Sequence, residues 1–166
     1  TSETLWTEYY KTSELPQVIN PESGYIYNAN HSPFKSTSLD ENPNPKDFAT
    51  NMGFETFDNN RSTRIFELVE SYDAIDYEAF KTIKYDNKFP TPFNYNFMNI
   101  NNIMEMSPEN YPEISDILEQ IQKWDRITDA NSTGAGAYAM FYYTLADKYF
   151  YKSYYDRNFS KSLIAD

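Results

Sequence analysis

The chain has 166 residues, 40% of them hydrophobic, which allows one domain with a substantial core and excludes two large domains. Its formal net charge of −11 argues against binding to nucleic acids, because lysine and arginine contacts to phosphates provide most of the free energy of such binding. The absence of cysteine excludes disulfides and thiolate chemistry, and a single histidine argues against a serine–histidine triad or a multi-histidine metal site.

Strand and turn signals dominate residues 1–58. Residues 15–19 and 25–30 are short apolar runs that are predicted to be strands, in a region punctuated by proline and asparagine. Residues 20–24 between them are a predicted turn, because its proline presets one backbone dihedral and its glycine supplies a positive φ. The pattern therefore predicts a β-hairpin with Asn30 near its end.

Helical spacing replaces this pattern in the second part of the chain. Apolar residues at i, i+3, i+4 and i+7 predict a first helix over about 61–71. Asp76 is the predicted N-cap of a second helix, with Phe80 and Ile83 on its inward face. The proline- and asparagine-rich stretch 87–110 that follows is predicted to be a long connection.

Two further helices are predicted after this connection. The third covers about 112–124 and carries an apolar stripe on one side. The stripe consists of Ile114, Ile117, Leu118, Ile121 and Trp124. Ser132 is the predicted cap of a fourth helix that runs from Thr133 to about Tyr155. Because this helix is apolar on nearly all sides, we expect protein to surround most of it.

Three blocks of this sequence occur in the order found in one enzyme family. Residues 15–34 carry the pattern Asn-Pro, then Gly-aromatic-Ile-x-Asn-x-Asn, then Pro. Residues 60–65 contain Arg-x-x-Arg-Ile, and residues 124–126 are Trp-Asp-Arg, followed by Asp129 and Ser132. Together the blocks resemble the penicillin acylases, which are N-terminal-nucleophile hydrolases related to the homoserine-lactone and aculeacin acylases. The resemblance spans roughly residues 6 to 145.

The resemblance implies a mainly α chain with a short β portion, a fragment of an αββα N-terminal-nucleophile hydrolase. Residues 1–58 would be the strand and loop part of that core, and residues 59–166 a helical region of the β subunit flanking the substrate cleft. It implies an acylase that hydrolyses the amide bond of an N-acylated small molecule, such as a penicillin, an acyl-homoserine lactone or a lipopeptide.

In the family, the N-terminal serine attacks the carbonyl and its own α-amine acts as base, so no histidine is required. The family's Asn-x-Asn strand follows that serine by a long stretch of chain, whereas here the pattern lies near the start. We therefore expect an internal piece of the β subunit that lacks the nucleophile and is inactive alone.

The resemblance also implies roles for two residues. Asn30 matches the second Asn of Asn-x-Asn, whose side-chain N–H donates to the tetrahedral oxyanion; one such donor typically contributes about 2.7–4 kcal/mol. Arg61 matches an arginine beside the active site, which orients the nucleophile's end and favours its neutral amine. Because Asn30 and Arg61 are farther apart than their counterparts in the classical penicillin G acylases, Arg64 is the alternative.

The partners implied are the remainder of the acylase β subunit, its α subunit and a small-molecule amide substrate, in a periplasmic or secreted location. Neither nucleic acid nor membrane insertion is expected, the latter because no apolar run approaches the roughly 18 residues of a span. No cofactor is required, although some relatives bind structural calcium. Asp40, Glu41 and Asp47 offer oxygen ligands, but their spacing fits no recognised calcium loop and favours a solvated acidic loop.

Two other functions stay open from the sequence. A secreted or envelope protein that binds glycans or nutrients is suggested by the Tyr-, Trp- and Asn-rich composition and by the helix–loop–helix at Trp124-Asp125. It requires a row of exposed aromatic rings. A catalytically inactive, acylase-like structural domain is the other. The acylase hypothesis instead requires Asn30 at the end of a strand, with its side chain in an open concavity. His31 is interpreted as a loop residue, and Trp124 as a core residue.

Overall fold

The computed structural model describes residues 8–95 and 99–148. The described residues form two compact units, which divide between Asp58 and Asn59. Helices predominate in the described residues, where the only β pairing is one antiparallel bridge between Lys88 and Ile127. The prediction of a mainly α chain is therefore confirmed. Among these residues, none of the helices combines the length and the apolarity that a membrane span requires.

Within the first unit, no β-strand forms at residues 15–19 or 25–30, so the predicted hairpin is wrong. A two-stranded ladder is at best marginally stable without further strands or a packed face, and single turns of 3₁₀ helix form elsewhere in this unit. These turns are Thr12–Glu14, Leu39–Glu41, Pro45–Asp47 and Thr50–Met52. The predicted turn does form: the Gly24 N–H donates to the Pro21 carbonyl at 3.0 Å, and Gly24 has a φ of 79°.

Hydrogen bonds from side chains to backbone hold the first unit together. The Asn42 Oδ1 accepts the N–H groups of Ser36 and Thr37 at 2.6 and 3.1 Å, and its Nδ2 donates to the Thr37 carbonyl at 3.0 Å. The buried Thr37 hydroxyl donates in turn to the Tyr25 carbonyl at 2.8 Å. Three mutually packed rings complete this unit's core: Phe34, Phe48 and Phe54.

The second unit contains the longer helices. In its described residues these are α1 (Asn60–Val69), α2 (Tyr77–Lys84), α3 (Ser115–Gln122) and α4 (Thr133–Ala146). Short 3₁₀ helices form at Ile100–Met104, Pro108–Asn110 and Pro112–Ile114. The predicted third helix therefore begins as a 3₁₀ turn before it becomes α-helical. The predicted end of the fourth helix near Tyr155 lies outside the described residues.

Side chains cap these helices at the predicted positions. The Asp76 carboxylate accepts the Ala79 N–H at 2.8 Å at the start of α2, and the Ser132 hydroxyl accepts the Ala135 N–H at 3.2 Å at the start of α4. Each cap satisfies one of the backbone N–H groups that a helix start leaves unpaired, which fixes where the helix begins. Both cap predictions are confirmed.

An aromatic and aliphatic core fills the second unit between α3, α4 and the connection before α3. Its buried members are Phe93, Ile100, Ile103, Leu118, Ile121, Trp124 and Tyr138. The Phe93 and Tyr138 rings stack with centroids 4.8 Å apart, and Trp124 leans on both. The Trp124 Nε1–H donates to the Ile127 carbonyl at 2.7 Å, so the polar end of this ring is satisfied inside the unit. The prediction that Trp124 is a core residue is confirmed.

Exposure corrects several predicted packing faces. Phe80, expected to face inward, is 54% exposed, because the short helix α2 packs on α1 and on no other helix of the described residues. Ile114 and Ile117 of the predicted stripe are exposed as well, whereas the stripe's later residues are buried. On α4, Met140 is 75% and Tyr143 is 66% exposed. Within the described residues, one face of α4 packs on α3 and the other is exposed, so the neighbours predicted for the exposed face stay a prediction about another part of a larger molecule.

Candidate active-site residues

Asn30 lies in a tight turn made by residues 28–31. The Asn28 Oδ1 accepts the Asn30 N–H at 2.8 Å, and the Ala29 N–H donates to the His31 Nδ1 at 3.1 Å. Asn30 has a φ of 54°, in the left-handed region that asparagine tolerates better than most residues. Two side chains of the turn thus capture two successive backbone N–H groups and fix the backbone of Asn30.

Asn30 lies at the surface of the first unit, and the residues on either side of it are buried. Ala29, His31 and Ser32 are 4%, 7% and 0% exposed, whereas Asn30 is an exposed residue. The prediction of a strand ending at Asn30 is wrong, since the residue sits at a bend. In a strand, neighbouring strands would hold the backbone by hydrogen bonds. Here the side chains of the turn do so.

His31 is bound at both ring nitrogens. Besides the bond from Ala29, its Nε2 lies 2.6 Å from the Lys35 carbonyl oxygen, and its ring stacks on Tyr27 with centroids 4.9 Å apart. Sequence reasoning treated His31 as an ordinary loop residue and missed this role. The only sequence signal for it was the position of the chain's single histidine, directly after Asn30.

The two candidate arginines of the second unit have different surroundings. The Arg64 guanidinium donates to both carboxylate oxygens of Asp86, at 2.9 and 2.8 Å, and to Glu67 at 3.0 Å. The hydrogen bonds to Asp86 raise the pKa of Arg64 and lower the pKa of Asp86. Arg64 therefore links α1 to the residues after α2, whereas Arg61 is exposed on the first turn of α1.

Asn30 belongs to the first unit and Arg61 to the second, so different neighbours fix the position of each. Asn30 is held by Asn28 and, through Ala29, by His31. Arg61 follows the Asn59 cap, whose Oδ1 accepts the Ser62 N–H at 3.0 Å.

An open pocket of about 580 Å³ lies in the second unit where α3 ends and α4 begins. Its lining is mostly polar and includes Gln120, Lys123, Trp124, Asp125, Asp129 and Asn131. Trp124 is only 7% exposed there. The ring therefore belongs to the core. It is not an exposed ring of the kind that a glycan-binding surface requires.

In the acidic loop of the first unit, Glu41 binds backbone N–H groups of the turn at residues 21–24. The Glu41 carboxylate accepts the N–H groups of Glu22 and Ser23, and hydrogen bonding by Ser23 lowers the pKa of Glu41. In the part of the chain that the structure describes, no three His, Cys, Asp or Glu side chains come together as a metal site. Glu41 thus fastens the turn at residues 21–24.

A family model described as penicillin amidase matches residues 1–163 of the chain. The match includes the turn with Asn30, the start of α1 with Arg61 and the segment that follows Trp124. No solved structure matches the chain.

Proposed function

The chain belongs to the penicillin amidase family, and from this premise we propose that it supplies the oxyanion donor, Asn30, of an acylase. The reaction is hydrolysis of the amide bond of an N-acylated small molecule, such as a penicillin, an acyl-homoserine lactone or a lipopeptide. The attacking serine belongs to polypeptide outside these 166 residues, and the enzyme works in the periplasm or outside the cell.

The observation that carries this proposal is the fixed backbone of an exposed asparagine. Negative charge develops on the carbonyl oxygen only as the nucleophile attacks, so a neutral donor already in position favours the transition state over the substrate. Such a donor must not reorganise during the reaction. The bonds to Asn28 and His31 restrict the Asn30 backbone in this way.

We assign the second role to Arg61. Arg61 matches the family's arginine in the resemblance, whereas the alternative, Arg64, pairs with Asp86 and Glu67 and links α1 to the residues after α2. A cation near the serine's α-amine disfavours a second positive charge, lowers the amine's pKa and keeps the amine competent as a base.

The test compares two asparagines that both adopt left-handed backbone. In the acylase assembled from this chain and the polypeptide that carries the serine, Asn30→Gly removes the donor, and glycine accepts the same φ without strain. The expected result is a kcat lower by about 10²–10³-fold with little change in KM. Asn20→Gly is the matched control, since Asn20 has a φ of 49° in the same unit, and it should keep full activity.

An Asn30→Gly enzyme that turns over as fast as the Asn20→Gly enzyme would refute the proposed donor. An assembled protein that cleaves no amide, although a serine stands at the processing site, would refute the acylase and leave two alternatives, the inactive structural domain and the glycan- or nutrient-binding protein.

A further inference from the structure

We infer that His31 is a positioning residue for Asn30: its neutral imidazole, with the proton on Nε2, holds the turn of residues 28–31 in the conformation that presents the Asn30 amide. The functional meaning of this inference rests on the proposed role of Asn30. The hydrogen bonding itself is a property of the chain alone and is tested separately.

Backbone partners on both sides determine the tautomer. The Ala29 N–H can only donate, so the His31 Nδ1 that it reaches at 3.1 Å must be the unprotonated acceptor. The Lys35 carbonyl can only accept, so the Nε2 at 2.6 Å must carry the proton. A ring with one fixed donor and one fixed acceptor is neutral, and its orientation is further held by stacking on Tyr27.

The bond from the Ala29 N–H to the His31 ring spans Asn30, because its two ends lie on the residues before and after Asn30. Left-handed backbone is disfavoured for a residue with a Cβ, so it persists where surrounding bonds hold it. Here the Asn28 side chain holds the Asn30 N–H, and the His31 ring holds the preceding N–H. Loss of either acceptor removes a bond that helps to hold the left-handed backbone of Asn30, and with it the direction of the Asn30 side chain.

Protonation of His31 removes that acceptor. An imidazolium has N–H groups at both nitrogens, so its Nδ1 would face the Ala29 N–H donor to donor. The ring stacks on Tyr27 and its Nε2 bonds the Lys35 carbonyl, so the neutral imidazole is the form that fits this turn.

The test uses NMR on the ¹⁵N-labelled 166-residue chain, in which a single histidine gives the only imidazole signals. At about pH 8, the ring nitrogens should show unprotonated Nδ1 and protonated Nε2. At the same pH, the hydrogen-exchange protection of the Ala29 N–H should exceed its protection in His31→Leu by about 3- to 10-fold, the equivalent of one hydrogen bond.

Two variants separate positioning from general destabilisation. His31→Asn keeps an acceptor oxygen near the Nδ1 position, so Ala29 should stay protected. His31→Leu removes both bonds and should leave Ala29 poorly protected. The Gly24 N–H, bound to the Pro21 carbonyl at 3.0 Å in the same unit, is the internal control and should not respond.

A protonated Nδ1 in the unmodified chain, or full protection of Ala29 in His31→Leu, would overturn the inference. Neither result bears on the acylase proposal, which the Asn30→Gly kinetics test on their own. Conversely, kinetics showing that Asn30 is not the oxyanion donor would not change the predicted tautomer or the predicted exchange protection.

Discussion

Gly134 occupies a position on α4 where the structure leaves no room for a side chain. A Cβ built on Gly134 would lie 2.7 Å from the Trp124 Cγ and 2.9 Å from its Cδ1, and closer still to its Cβ. Nonbonded carbons prefer about 3.5–4.0 Å, so Gly134→Ala requires the two elements to separate by about 1 Å.

Trp124 has little freedom to provide this separation. Its Nε1–H is bonded to the Ile127 carbonyl, and its ring packs on Phe89 and Tyr138 with centroids 5.8 and 5.1 Å away. Forcing an extra methyl group into a packed core typically costs about 1–3 kcal/mol. We expect Gly134→Ala to lower the free energy of unfolding by that amount, even though alanine favours helix by up to about 1 kcal/mol over glycine.

Gly136 provides a matched control two residues further along α4. A Cβ at Gly136 meets no atom within 4 Å, and the residue is exposed. Gly136→Ala should therefore gain only the helix preference and raise the free energy of unfolding by up to about 1 kcal/mol. Urea unfolding followed by far-ultraviolet circular dichroism measures both changes. Equal stability of the two variants would refute the packing of α4 on Trp124.

The remaining predictions concern polar contacts of the second unit. Arg64→Ala should lower the free energy of unfolding by about 1–3 kcal/mol at neutral pH, and a double-mutant cycle with Asp86→Asn should show coupling. Because the folded-state pKa of Asp86 lies below its unfolded value of about 3.9, this stabilisation is present above that pH and is lost as the pH falls through the folded pKa. The unfolding free energies of Arg64→Ala and the unmodified chain should therefore converge in acid, and a constant difference would contradict the ion pair. Tyr138→Phe removes a hydroxyl 2.8 Å from that of Tyr95 and should cost about 1 kcal/mol by the same assay, whereas exposed Tyr143→Phe should cost nothing measurable.

Features that depend on local chemistry were predictable from the sequence. The caps at Asp76 and Ser132 were expected and are present, because a capping side chain needs only the backbone two or three residues ahead. The turn before residue 25 formed for the same reason. The strands did not, since a strand is completed by a partner that no local pattern supplies.

Contacts between residues far apart in the sequence were not predicted. Arg64 and Asp86 are 22 residues apart, and no pattern in either segment indicates that they pair. The close approach of Gly134 to Trp124 likewise depends on how α3 and α4 meet. Asn30 was identified through its family resemblance, but the fixing of its turn by His31 required the geometry of the ring nitrogens.

The central claim is that Asn30 stabilises the transition state more than the bound substrate, and inhibitor affinities test it most directly. A boronic acid analogue of the acyl group forms a tetrahedral anion with the serine, whereas an uncleavable amide mimics the substrate. In the assembled acylase, Asn30→Gly should weaken the boronate by about 100-fold and leave the affinity for the amide within about 3-fold. Equal losses for both ligands, or no loss for the boronate, would contradict the claim.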